Sequence, residues 1–371
     1  MRPAPFRLER YFAQHEFVAP HLLSSSDCES MSIAELLALE PGSAEAFQGV
    51  RLGYTESPGS LSLRREIAGL YEGFSPEEVL VHSGAEEAIF TFAAAALRPG
   101  DRVIVQMPCY QSLEELARTR GCEVVPRRSS QATGWSPDLD ELDRLARPKA
   151  RALIINTPHN PTGFHWSRRN LEGLVNWTRT RGMLLFCDEV YRLLERTSAD
   201  RLPGACTLGD HVVSLGVMSK SLGLAGLRIG WAATRDRALL VGMAEVKDYT
   251  TICSPGPSEF LAEVALRQRD SILERTRGIT EANLKSFTEF MERRKSALSW
   301  IPPKAGPVCF PRVEHGMGSD RFCERVLKEA GVLLLPGSLF GEEWRDHFRV
   351  GLGRASFGES LSRLDRWMDA L

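Results

Sequence analysis

Lys220 lies between two serines in the run Ser219-Lys220-Ser221-Leu222-Gly223-Leu224-Ala225-Gly226-Leu227-Arg228, and Arg228 follows it by eight residues. An amine held among polar groups is a candidate Schiff-base nucleophile. The arginine adds a fixed positive charge that suits a phosphate. An amine beside a phosphate clamp is what a phosphorylated aldehyde needs in order to be held. Taken alone, the same run also reads as a solvated lysine ahead of the strand that begins at Ile229.

Five other segments carry residues of the right type. Ser83-Gly84-Ala85-Glu86-Glu87 joins an apolar strand to an apolar helix, and free backbone N–H groups at a helix start bind anions. An ordinary loop with Glu87 capping the helix is the simpler reading of that segment alone. Asn156-Thr157-Pro158-His159-Asn160-Pro161-Thr162-Gly163 follows a strand and is dense in turn formers. Its place at the carboxyl end of a parallel strand is where open α/β sheets bind ligands. There Asn160 is able to donate to a phenolate oxygen. Asp188, in Cys187-Asp188-Glu189-Val190-Tyr191, ends an apolar strand, where an unpaired acid is costly and a protonated ring nitrogen would pair with it. Tyr191 is three residues further on. Tyr110, after Met107-Pro108-Cys109, is placed to stack on a flat ring. Arg349, in Phe348-Arg349-Val350-Gly351, offers a guanidinium for a carboxylate.

These residues need a frame. Apolar runs at Val79–His82, Arg102–Gln106, Cys122–Pro126, Ala152–Asn156, Met183–Cys187, Val212–Gly216 and Ile229–Ala233 read as buried strands. Helical patterns at Ser60–Tyr71, Glu86–Leu97 and Ser167–Arg181 alternate with them, which predicts an α/β sheet covered by helices on both faces. After residue 235 the texture changes. A charged helical stretch over Ser258–Leu298, short strands near Gly306–Arg312, Val332–Leu335 and Phe348–Gly351, and a last helix over Glu359–Leu371 read as an α+β lobe. The expected division is an N-terminal arm over 1–45, a large domain over 46–255 and a small domain over 256–371.

Composition narrows the function. The chain has 371 residues and a formal net charge of −2, so there is no electrostatic case for nucleic acid or an anionic membrane. No apolar run is long enough to span a bilayer, and the first residues lack the apolar core of a signal peptide. A cytoplasmic location is expected. The eight cysteines and eight histidines are dispersed with no metal-ligand spacing, so no metal site is expected.

Taken together and in this order, the motifs resemble those of fold-type-I, class I/II aminotransferases over roughly residues 50 to 355. The resemblance implies a mostly parallel seven-stranded sheet in a large domain, a smaller α+β domain, and pyridoxal 5′-phosphate as cofactor. It implies that Lys220 forms the Schiff base and shuttles the proton, and that Asp188 pairs with the ring nitrogen. Asn160 and Tyr191 would bind the ring oxygen and Tyr110 would stack on the ring. Ala85 and Glu86 through their N–H groups, Ser219 and Arg228 would hold the phosphate. Arg349 would bind the substrate α-carboxylate. Tyr54, in Gly53-Tyr54-Thr55-Glu56-Ser57-Pro58-Gly59, would reach the phosphate of the partner in a homodimer. Two departures stand out. Val217 replaces a phosphate-binding Ser or Thr, and the Glu86 side chain should point away from the anion.

A second similarity, to capreomycidine-synthase-like enzymes, rests on Leu8-Glu9-Arg10-Tyr11-Phe12, Leu22-Leu23-Ser24-Ser25-Ser26 and Lys247-Asp248-Tyr249-Thr250-Thr251-Ile252-Cys253-Ser254-Pro255. It implies contacts to substrate from Ser25 and Glu9, and an acid among Glu9, Glu16, Asp27 and Glu29 facing a guanidinium. Two activities are therefore expected of such a chain. The first is transamination of an L-amino acid. The alternative is cyclisation, elimination or oxidation of arginine or a hydroxyarginine.

Overall fold

The computed structural model describes residues 2–314 and 316–370. Its centre is a seven-stranded sheet. In spatial order the strands are Val79–His82, Gly230–Ala233, Val212–Val217, Leu184–Asp188, Ala152–Asn156, Arg102–Met107 and Glu123–Arg128. Gly230–Ala233 runs antiparallel to both neighbours, and the other pairings are parallel. Five of the strands are buried at every position, which explains their nearly continuous apolar sequence. The mostly parallel α/β sheet is the one expected. Strand boundaries differ from the sequence reading by one or two residues, as in Glu123–Arg128 for Cys122–Pro126.

Crossover helices cover the sheet. Ala85–Ala96 buries Ala88, Ile89, Phe92, Ala93 and Ala96 but leaves Phe90 exposed, so its burial is one-sided rather than complete. Arg168–Thr180 starts at Ser167, whose side chain accepts from the Asn170 N–H.

The C-terminal part departs from the sequence reading in two places. The stretch Ser258–Leu298 is two helices, Gly256–Arg267 and Arg269–Arg293, broken at Gln268. No Gly or Pro marks the break. The two helices pack on different neighbours, Leu61–Ala68 and Ile33–Leu37 for the first and the C-terminal helix Phe357–Asp369 for the second. The apolar run Val332–Leu335 is also divided. Val332–Leu333 pairs in parallel with His21–Leu22, while Leu335–Pro336 pairs with Phe348–Arg349.

The N-terminal segment is threaded between these parts. The helix Arg7–His15 lies over the cleft, with Ala4 N–H donating to Glu115 and Tyr11 Oη to Leu334 O. Residues 23–29 then run along 351–353. Gly351 N–H donates to Leu23 O at 2.7 Å and Glu29 N–H to Gly353 O at 2.8 Å. A Cβ at Gly351 or Gly353 would collide with the backbone of Ser25 or Asp27. Glycine at these two positions is what allows the close approach.

Candidate active site

The carboxyl ends of the parallel strands open into a cavity of about 490 Å³. Lys220, Asp188, Asn160, Tyr191, Tyr110, Ser219, Arg228, Ala85, Glu86, Arg349, Glu9 and Ser25 all line it. Residues from nearly the whole length of the chain are thus brought to one place.

At the floor, Asp188 ends its strand 5% exposed, and its Oδ1 accepts from the Val190 N–H at 3.1 Å. The turn-capping bond and a free face toward the cavity coexist. Burial pushes the Asp188 carboxyl up to about 7, against the lowering pull of the Val190 N–H and Lys220. A cation set opposite would restore its charge. Asn156 fixes the neighbouring loop. Its Nδ2 donates to Asp188 O at 2.8 Å and its Oδ1 accepts from the Asn160 N–H at 2.5 Å.

Lys220 Nζ donates to Ser26 Oγ at 2.8 Å. Burial lowers the lysine's affinity for its proton, with Asp27 working in the opposite sense. The amine is therefore biased toward the neutral, nucleophilic form. Tyr191 is fully buried. Burial also pushes its phenol up, so the hydroxyl keeps its proton to donate.

The anion cradle is built from three strained or glycine-dependent contacts. Gly84 caps the helix Ala85–Ala96 at φ 83° with no side chain doing so. A Cβ there would run into the Arg228 guanidinium. Arg228 itself is left-handed, at φ 53°, a conformation that is uncommon outside glycine and concentrates at functional sites. Gly230 lets the helix start approach, since a Cβ would come within 2.6 Å of Gly84 C. Glu87 instead secures the turn, accepting from the Ser83 N–H at 2.6 Å. Ser219 Oγ is buried without a hydrogen-bond partner beside this cradle.

Arg349 is 1% exposed. Its Nη1 donates to Asn160 Oδ1 at 3.1 Å and its Nη2 to Ser24 O at 2.7 Å, leaving Nε unpaired. Phe12 and Phe340 flank it, each with its ring centroid 6.0 Å from the guanidinium. A buried, incompletely satisfied guanidinium is poised for a carboxylate.

The cavity thus fits pyridoxal phosphate: an amine, a buried acid for a ring cation, a helix start with an arginine for the phosphate, and an orphaned hydroxyl between them. Tyr110 lines the same space, its ring centroid 5.0 Å from that of Phe6 and its hydroxyl donating to Glu9 Oε1 at 3.3 Å. Val217 lines the cavity where a hydroxyl was expected.

Glu86 is among the residues lining the cavity, and its carboxyl accepts a hydrogen bond from Ser112 Oγ, which lies outside that lining. Of the four N-terminal acids, Glu9, Glu16 and Asp27 line the cavity, while Glu29 accepts from the Ala355 N–H at 2.8 Å outside it. Tyr54 is 94% exposed and away from this chain's cavity. Sequence reasoning missed Ser26, Phe12, Phe6 and Asn156. Glu9, Phe12 and Glu16 recur at helical spacing, a signal that was available for the N-terminal face. Among the described residues no group of His, Cys, Asp and Glu is placed to hold a metal ion.

Comparison with known proteins agrees with the geometry. A family model for aminotransferase class I and II matches residues 22–371. The chain is 30% identical over 348 residues to capreomycidine synthase of Streptomyces vinaceus, covering 93% of this chain and 88% of that protein. It superposes on a PLP-dependent aminotransferase from Streptococcus suis with a TM-score of 0.93 at 30% identity, covering 100% and 99% of the two chains. On the PLP-dependent cyclase OrfR the TM-score is 0.90 at 31% identity, covering 100% and 98%. The chain belongs to the class I and II aminotransferase family of pyridoxal-phosphate-dependent enzymes.

Proposed function

We propose that this protein takes the amino group from an L-amino acid and passes it to a keto acid. The observation that carries this reading is the pairing, in one cavity, of the Lys220 amine with the buried, half-satisfied Arg349 guanidinium. The cofactor supplies an electron sink for negative charge developing at the substrate Cα. Arg349 grips the α-carboxylate through two nitrogens and so fixes the Cα. Asn160 and the Ser24 carbonyl hold that guanidinium in register. Lys220 Nζ, eased toward its neutral form, takes the Cα proton and returns it. Asp188 keeps the ring nitrogen cationic. Phe6, Phe12 and Tyr110 cover the cavity and exclude water from the moving proton.

A specific observation favours a second reading of the substrate. Glu9, Glu16 and Asp27 line one cavity with Arg349, and their mutual repulsion, added to burial, pushes Glu16 up. Three acids suit a cationic side chain such as a guanidinium. The likeness to a capreomycidine synthase and to a PLP-dependent cyclase extends this reading from amino transfer to cyclisation, elimination or oxidation of arginine or a hydroxyarginine. The experiment is a panel of amino acids, arginine and hydroxyarginines included, incubated with a keto acid. Amino-group transfer supports the first reading. Consumption of a cationic substrate without transfer supports the second. No turnover of any α-amino acid contradicts both.

The protein is also proposed to act as a homodimer. Leu52, Tyr54, Tyr249 and Ile252 are exposed on two loops joined by the bond from Thr55 Oγ1 to Ser254 O. Such an apolar patch is where a second subunit would sit, bringing Tyr54 toward its phosphate. All eight cysteines are free thiols, which fits the reducing cytoplasm. No helix among the described residues is long and apolar enough to cross a membrane.

A further inference from the structure

Ser26 is a cavity residue that the proposed chemistry leaves without a part. It lines the cavity with Lys220, and its Oγ accepts from Lys220 Nζ at 2.8 Å. Just before it in the chain, the Ser24 carbonyl accepts from Arg349 Nη2 at 2.7 Å. The run Ser24-Ser25-Ser26 therefore touches both groups that must act on a substrate: the guanidinium for its carboxylate and the amine for its Cα proton. This run is held on two sides. Toward the strand Phe348–Gly351, the Gly351 N–H donates to Leu23 O at 2.7 Å and the Glu29 N–H to Gly353 O at 2.8 Å. There Arg354 Nη2 also donates to Asp27 Oδ2 at 2.8 Å. Toward the lysine loop, Gly223 lies against Glu29, where a Cβ would come within 2.5 Å of the Glu29 carbonyl oxygen. Glycines at 223, 351 and 353 thus let the chain pass with no room to shift, and the position of the backbone decides where the Ser26 hydroxyl lies.

We propose that Ser26 is a positioning residue for Lys220: its hydroxyl holds Nζ at a fixed offset from the Arg349 clamp, so that the amine meets the carbon it must bond and the proton it must move. This rests on the reading that Lys220 bonds the cofactor and that Arg349 binds the substrate carboxylate. A lysine amine sits at the end of a flexible four-carbon stem, and a reacting group held in place gains rate over one that wanders. A hydroxyl suits the task better than an acid. A carboxylate in that place would hold the lysine as an ammonium, with no lone pair for bonding. The next residue in the run is such an acid, Asp27, and it is paired with Arg354. The amine instead meets a neutral group that both donates and accepts, and so can hold it with or without its extra proton.

The test uses the full chain with Ser26→Ala and with Ser26→Thr, which keeps the hydroxyl. The first readout is the rate at which unloaded protein bonds pyridoxal phosphate, followed by the visible band as Nζ joins the aldehyde carbon and the carbonyl oxygen leaves as water. The second is kcat and KM for the α-amino acid that the wild type consumes fastest. S26A is expected to bond the cofactor about tenfold more slowly and to lower kcat by about tenfold to a hundredfold, the scale of a small misplacement of a reacting group. Its KM should stay within about twofold of the wild type, because the Ser24 carbonyl still holds Arg349. S26T should recover most of both rates. Wild-type rates in S26A, rates in S26T as low as those of S26A, or a KM in S26A that rises in step with the fall in kcat would each overturn the proposal while leaving the reading of Lys220 intact. Failure of the wild type to form the visible band at all would remove both.

Discussion

Asp188 shows how a residue can be set against its own fold. Its carboxyl, ordinarily near 3.8, is pushed up to about 7 by burial. The folded protein therefore binds a proton that the unfolded chain has released between those values. Stability attributable to this group is highest below 3.8 and falls as pH rises through the window. A cationic ring nitrogen opposite it removes that penalty. Chemical denaturation without the cofactor should show stability declining from about pH 4 to pH 7, and Asp188→Asn should flatten the decline. In the loaded protein D188N should instead lower turnover by on the order of 10²–10³-fold, the scale of losing one preorganised charge. An unchanged pH slope in D188N would contradict this account of the acid.

At the scale of elements, the anion cradle depends on a helix start pressed against the last strand of the sheet. Gly84 at φ 83° and Gly230 behind it make that contact possible. Gly84→Ala puts a Cβ into a backbone region that L residues avoid and into the Arg228 guanidinium. Denaturant titration should show a loss of about 1–3 kcal/mol, and the dissociation constant for pyridoxal phosphate should rise at least tenfold as Arg228 is displaced. The strand ends and turns that carry Asn160, Asp188, Tyr191, Lys220 and Arg228 were legible in the sequence because each is a local signal: an apolar run, then a turn former, then a polar residue. Ser26 was not. Its partner Lys220 is 194 residues away, and the approach depends on Gly351 and Gly353 accepting the backbone of Ser25 and Asp27. The break at Gln268 was equally invisible, because packing on two different neighbours sets it rather than any helix-stop residue.

The whole molecule is organised so that distant parts of one chain, and by proposal a second chain, meet at one cavity. The seven-stranded sheet could be read from its apolar runs, since burial on both faces leaves its mark on every residue of a strand. The path of the N-terminal arm could not, because among the described residues its only strand pairing is the two-residue one of His21–Leu22 with Val332–Leu333. Light scattering should report a dimer. Leu52→Asp, which places a charge on the exposed patch beside Tyr54 and Tyr249, should shift the protein toward monomer and weaken cofactor binding. A monomeric wild type that binds cofactor fully would refute the shared-site arrangement.

The central claim is that Lys220 Nζ is the atom that bonds the cofactor. Reducing the protein–pyridoxal phosphate complex with borohydride, digesting it and mapping the peptides by mass tests this directly. The account predicts a pyridoxyl group on Lys220 and none in Lys220→Ala. A tag on any other lysine, or none in the wild type, would contradict it.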